Sequence, residues 1–176
     1  ATGSATLAAV AEDVTAPAGS TVSSLFGTNF SDSADGVTGG SSAHSLKGVA
    51  IVGNTATAAQ GKWQWSTDGS AWTDIATTGL SDSAAVYVGS ATLVRFVPAA
   101  NYNGTPGSLT VRLIESSDSA APADGGTYDV SVNGGATSIS SGTVALGTSI
   151  SAVNDAPVAT GSATLAAVAE DVTAPA

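Results

Sequence analysis

Oxygen donors are the chemistry this sequence offers. Fourteen Asp and Glu stand against four Lys and Arg, with one His and no Cys. Several of the acids and amides fall in pairs at turns: Glu12 with Asp13 after a short apolar run, Asp32 with Asp35 in the glycine-closed segment SDSADG, Asp118 with Asp124 in a small-residue stretch, and Asn154 with Asp155 just before Pro157. Carboxylates, amides and turn carbonyls at such spacings can converge on one hard cation such as Ca2+. SDSADG is not an EF-hand, which needs acids or amides at alternate positions and a glutamate further on. Taken alone, Glu12 and Asp13 read equally as a solvated turn.

His44 has no Cys or second His near it in sequence, so a zinc site is not expected and a surface or hydrogen-bonded loop histidine is the better reading. Nucleophilic catalysis needs a nucleophile, a base and an orienting group that converge. The sole histidine has no partner at a recognisable spacing, and the paired carboxylates sit in turns, so no enzyme is expected. Trp63, Trp65 and Trp72 offer a different chemistry, since exposed stacked rings would bind carbohydrate. In a chain with few large apolar residues, three tryptophans are more often core.

The formal charge of −10 disfavours nucleic acid and anionic membrane as partners and favours cations. Leu, Ile, Val and Phe together make about one fifth of the chain, near the level at which highly charged chains stop folding. A divalent cation bound only by the native state would relieve the self-repulsion and stabilise the fold by mass action. With no cysteine there are no disulfides, and the richness in Ser, Thr, Gly and Ala suggests a bacterial extracellular protein stapled by metal. No apolar run is long enough to span a bilayer, and the absence of a signal peptide is as expected of an internal fragment.

The elements that must position these residues belong to a repeat. Residues 1–18, ATGSATLAAVAEDVTAPA, return without a change as residues 159–176, a period of 158 residues. That is the size of a domain rather than of a solenoid unit. The expected organisation is one β-sandwich over residues 1–153, a linker over 154–158, and the first strand of the next repeat over 159–176. Only one sheet position exists per repeat for this strand. Either the N-terminal copy fills it and the C-terminal copy dangles or docks on a neighbour, or the C-terminal copy completes the domain.

Within the period, strands are expected at residues 6–10, 46–52, 62–65, 72–75, 84–88, 93–97, 109–113 and 128–132, with Val144, Leu146 and Ile150 on one face of a last strand. The alternation of residues 109–113 predicts one wet face. Val22, Leu25, Phe26 and Phe30 are spaced for about a turn of helix. Residues 66–70, STDGS, make a hairpin turn between tryptophan-bearing strands. That turn resembles the Asp-box of sialidase propellers, but it occurs once and no arginine cluster accompanies it. Many short strands and hardly any helix point to an all-β sandwich.

Taken together, VNDAP (residues 153–157), Glu12-Asp13 after the first strand, SDSADG, and RFVPAANYNG (residues 95–104) resemble bacterial cadherin-like or Ig-like tandem repeats. More closely, nearly the whole period resembles the extender repeats of giant RTX-type adhesins, without the glycine-rich nonapeptides that name that class. The resemblance implies an Ig-like/cadherin-like β-sandwich with Greek-key connections and at most a short helical turn. It implies Ca2+ at the junctions between neighbouring repeats of the same chain, type I secretion, and a place at the bacterial cell surface. Glu12 and Asp13 would lie at the pole facing the next domain, joined by Asn154 and Asp155. Asp32 and Asp35 would coordinate at the opposite pole or locally, and Asp118 would join one of these shells. The implied function is a calcium-stiffened spacer that holds a distal binding domain away from the cell, with no small-molecule ligand besides calcium. A carbohydrate-binding module built on the tryptophans is the alternative, and a repeat that coheres with its own kind in biofilm is a third reading.

Overall fold

The computed structural model describes residues 1, 3–38 and 41–171. The end of the second copy, residues 172–176, lies outside the described residues. The strands in chain order are β1 (Ser4–Thr6), β2 (Val10–Ala11), β3 (Ser20–Thr21), β4 (Leu46–Asn54), β5 (Gly61–Ser66), β6 (Thr73–Asp74), β7 (Ala85–Gly89), β8 (Leu93–Pro98), β9 (Leu109–Glu115), β10 (Thr127–Tyr128), β11 (Val144–Gly147) and β12 (Ile150–Ser151). The one α-helix among the described residues, α1 (Val22–Phe26), carries Thr21 as its N-cap, whose hydroxyl accepts the Ser24 N–H. It buries Val22, Leu25 and Phe26, the spacing that predicted it.

Two main sheets face each other. One has the order β1-β11-β9-β4-β7-β10, the other β3-β8-β5-β6, and a third pair joins β12 to β2. Successive strands from β4 to β9 pass from one main sheet to the other and back, so β4, β7 and β9 are sheet neighbours without being chain neighbours. These are the crossing connections of an all-β sandwich. Between the sheets lie Val49, Ile51, Val88, Leu109, Val111 and Leu113 from one side and Trp63, Val94 and Phe96 from the other. Trp63 is fully buried, meets Phe96 edge to face at 5.2 Å, and donates from Nε1 to the Gly107 carbonyl. At the start of β5, Gly61 has φ +131°, and a Cβ there would fall 2.2 Å from the Val97 carbonyl oxygen, so only glycine lets β5 and β8 approach so closely.

The STDGS turn forms as expected. Asp68 Oδ1 accepts the N–H groups of Ser70 and Ala71 and the Ser66 hydroxyl, and those three bonds hold its carboxyl below the usual carboxylate range. Gln64 then pairs with Asp74 and Trp65 with Thr73.

Four expectations change. The expected last strand carrying Val144, Leu146 and Ile150 is instead two strands in different sheets, β11 and β12. The expected first strand over residues 6–10 is instead two short strands, β1 and β2, with a break at residues 7–9. The stretch 128–132 keeps strand pairing only in β10; Val130 is buried but Val132 is 75% exposed. Finally, β9 has no wet face. Ile114 packs in a second cluster with Ala50, Ala85, Tyr87, Val130 and Ile139, because residues 116–143 fold back over the outside of the sheet. Arg112, on that face, is 9% exposed. Its Nε and Nη2 grip both oxygens of Asp82, and its Nη1 donates to the carbonyls of Ser140 and Ser141. The alternation was read correctly, but the covering loop was not visible in it.

Candidate metal-binding poles

β1 runs parallel to β11, pairing Ser4 with Ala145 and Thr6 with Gly147, and β2 continues parallel to β12, pairing Ala11 with Ser151. This ladder carries Glu12 to the pole where the chain leaves the sandwich. There the Glu12 N–H donates to the Ser151 carbonyl, and its carboxylate, in a residue only 4% exposed, accepts the Val153 N–H on Oε1 and the Asn103 amide on Oε2. Asp13 turns the chain with φ +66°, and its Oδ1 accepts the N–H of Asn101, itself at φ +57°. The two acids after the first strand and the ANYNG loop are therefore brought together, with Val153, the last residue before the linker, bonded to Glu12. Asn103, from the RFVPAANYNG motif, is a further member of this pole that no local spacing marks out. Asn154 and Asp155 follow Val153 and are exposed; the contact between them is Asn154 Nδ2 to the Asp155 carbonyl. The oxygens gathered here are those of the Glu12 and Asp13 carboxylates, toward which Asn103 turns its Nδ2 and Asn101 its N–H; carboxylate oxygens suit a hard cation of the calcium type rather than a thiophilic or imidazole-seeking metal.

At the far end of the molecule β9 ends at Glu115, which pairs with Leu46 at the start of β4. Just before β4, the His44 N–H donates to Asp32 Oδ2 at 2.7 Å, and His44 Nδ1 lies 3.7 Å from the same oxygen. Asp32, His44 and Glu115 each offer one donor atom within 4.8 Å of the others'. His44, which its sequence neighbours left without a partner, thus gains two carboxylate neighbours through the fold. An imidazole with two carboxylates suits a borderline transition metal better than calcium. Around a tetrahedral zinc, with bonds of about 2.0–2.2 Å, ligand atoms lie roughly 3.4 Å apart, close to the 3.7 Å between His44 Nδ1 and Asp32 Oδ2. Asp32 and Glu115 also line a cavity of about 210 Å³ that Ala1 and Ser138 share. Asp35 is exposed, in a 3₁₀ turn over Ser33–Asp35, and its carbonyl accepts the Ser41 hydroxyl.

Asp118 adjoins the Glu115 end, its N–H donating to the Glu115 carbonyl, but its carboxylate is engaged by the protein itself. Its Oδ1 accepts the N–H groups of Ala120 and Ala121 and its Oδ2 the hydroxyls of Tyr128 and Ser138. Four bonds fill the acceptor positions of a carboxylate. Burial alone would raise its carboxyl, but the bonds from Ser138, Tyr128, Ala121 and Ala120 outweigh it and hold the group below its ordinary range. The sequence placed Asp118 among candidate ligands; its geometry is that of a clamp on the segment covering the sheet.

The tryptophans do not form one platform. Trp63 is in the core, Trp65 is half-buried, and Trp72 is capped by the Arg95 guanidinium 3.8 Å from its ring centroid. Among the described residues, no helix is long and apolar enough to cross a membrane. The chain matches no family model, no curated protein and no solved structure.

Proposed function

We propose that this chain is a structural spacer: one repeat of a tandem array, with the first strand of the next, stiffened by Ca2+ at the junctions of a large secreted adhesin at the bacterial cell surface. The observation that carries the reading is the fate of the duplicated eighteen residues. In the first copy Ala5 and Leu7 are core and Glu12 is built into the exit pole; in the second, Leu165 is 95% exposed. A segment so exposed, and identical to one that completes a sandwich, reads as the first strand of another sandwich.

In this reading Glu12 and Asp13 already hold the loop of Asn101 and Asn103 and the end of the domain at Val153, so Asn154 and Asp155 leave the domain beside two carboxylates. Calcium bound there would fix the angle between neighbouring repeats and relieve part of the charge of −10. The entry pole, with Asp32 and Glu115 beside Ala1, would face the preceding linker. Copy number sets the reach of such an array, which accounts for the exact return of residues 1–18 as 159–176. No catalytic step is assigned, and the dispersed tryptophans give no support to the sugar-binding reading.

The test is small-angle scattering of a two-repeat protein with calcium and with chelator. A longer, stiffer particle in calcium supports the proposal. Identical scattering curves in both conditions would remove calcium from the account, and a compact side-by-side pair of domains would remove the spacer.

A further inference from the structure

The two copies of the strand share more than their letters. In the docked copy Gly3 has φ +77° and Asp13 φ +66°; in the exposed copy Gly161 has φ +83° and Asp171 φ +69°. Both kinks that bound the segment therefore form without the sheet, so the exposed copy shares its two bounding turns with the docked one. Preshaping lowers the ordering that docking requires.

Its reach suffices to dock on its own domain. From Ala145 to Ser151 the accepting edge spans about 20 Å, at ~3.3 Å per residue. Ser162, the counterpart of Ser4, lies eleven residues beyond Ser151, a stretch that extends to about 36 Å and has a typical end-to-end length of about 20 Å. A tether whose typical length matches the span gives the highest effective concentration.

We propose that the β11–β12 edge is a docking site for residues 161–171 of the same chain, which exchange there with residues 3–13. Every side chain that meets the edge is the same in both states, so neither gains contacts over the other, and the difference lies in the tethers alone. A second molecule is the poorer donor: each docking between molecules frees an identical strand, gains no contact, and still loses the freedom of two bodies. Residues 1–158 and 19–176 are then one domain closed in two ways. In an array of identical repeats, each sandwich accepts its own first strand or that of its successor, so the boundary between repeats can slip. This depends on the duplication within the chain and not on calcium, so it stands or falls separately from the spacer reading.

The chain has no cysteine, so engineered pairs report cleanly. Ala145 and Ser4 are exposed partners across the parallel ladder, and neighbouring strands bring Cα atoms within disulfide range. In Ala145→Cys/Ser162→Cys, refolded dilute in a glutathione redox buffer that closes the Ala145→Cys/Ser4→Cys control, an intramolecular disulfide is expected in the monomer. Adding Leu7→Ala, which weakens only the N-terminal copy, should raise its yield several-fold. Absence of this disulfide even with Leu7→Ala, or its appearance only between molecules, would overturn the proposal. Stability gives a second readout. If the C-terminal copy substitutes for a damaged first strand, Leu165→Ala is silent alone but destabilises further once Leu7→Ala is present. If Leu165→Ala is silent in both backgrounds, the exchange does not occur.

Discussion

Replacing Asp118 by Asn separates a structural clamp from a metal ligand. The Asn oxygen can keep the two backbone N–H groups of Ala120 and Ala121, but its amide nitrogen then faces the Tyr128 and Ser138 hydroxyls, which must turn to accept where they now donate. Bonds to a charged acceptor contribute about 1.5–3 kcal/mol each and neutral ones about 1 kcal/mol. Weakening four by about 0.5–1 kcal/mol gives a loss of about 2–4 kcal/mol. Urea unfolding at pH 7 should show a lower midpoint with an unchanged slope, equally in calcium and in chelator. The pH dependence follows from the depressed carboxyl of Asp118. Its contribution is complete above the unfolded value near ~3.9 and is lost as pH falls through the lower folded value. The gap between wild type and Asp118→Asn should therefore narrow in acid. A variant within about 0.5 kcal/mol of wild type, well inside the loss expected from the bonds, would refute the clamp. A loss seen only in calcium would make Asp118 a ligand after all.

Trp63→Ala should cost about 3–5 kcal/mol, because the ring fills the space between the sheets and its N–H satisfies the Gly107 carbonyl; calorimetric melting measures it, and a near-neutral result would mean the ring is not core. Arg112→Lys keeps the charge but loses the two-pronged grip on Asp82, so urea unfolding should show a loss of about 1–3 kcal/mol; an unchanged midpoint would contradict that geometry. Burial, then the bond to Asp118, raises the Tyr128 phenol, so its contribution is complete below the unfolded value near ~10 and lost as pH rises beyond it. Tyr128→Phe should be less sensitive to alkali than wild type in melts between neutral and strongly alkaline pH, and equal sensitivity would remove Tyr128 as the cause.

The sequence made the sandwich legible where period and turn chemistry act locally: the spacing of Val22, Leu25 and Phe26, the alternation of Trp63 and Trp65, and the Asp68 turn all formed as read. The exit pole was legible in part. Glu12 and Asp13 were visible as an acidic corner, but their meeting with Asn101 and Asn103 depends on strands some ninety residues away in the chain. The partners of His44 were hidden for the same reason, since Asp32 and Glu115 reach it only through a 3₁₀ turn and the end of β9. The buried outer face of β9 was missed because the segment that covers it, rich in small residues, carries little hydrophobic pattern of its own; Val130 and Ile139 are its main apolar contributions.

The central claim is that calcium stabilises this fold, and thermal melting of the whole chain in millimolar calcium against chelator tests it most directly. A site filled at a hundred times its dissociation constant adds about 2.7 kcal/mol, which for a domain of this size raises Tm by about 5–10 °C. A calcium-dependent rise of that order, diminished by Glu12→Gln, is the predicted result. A melting curve indifferent to millimolar calcium would contradict the account.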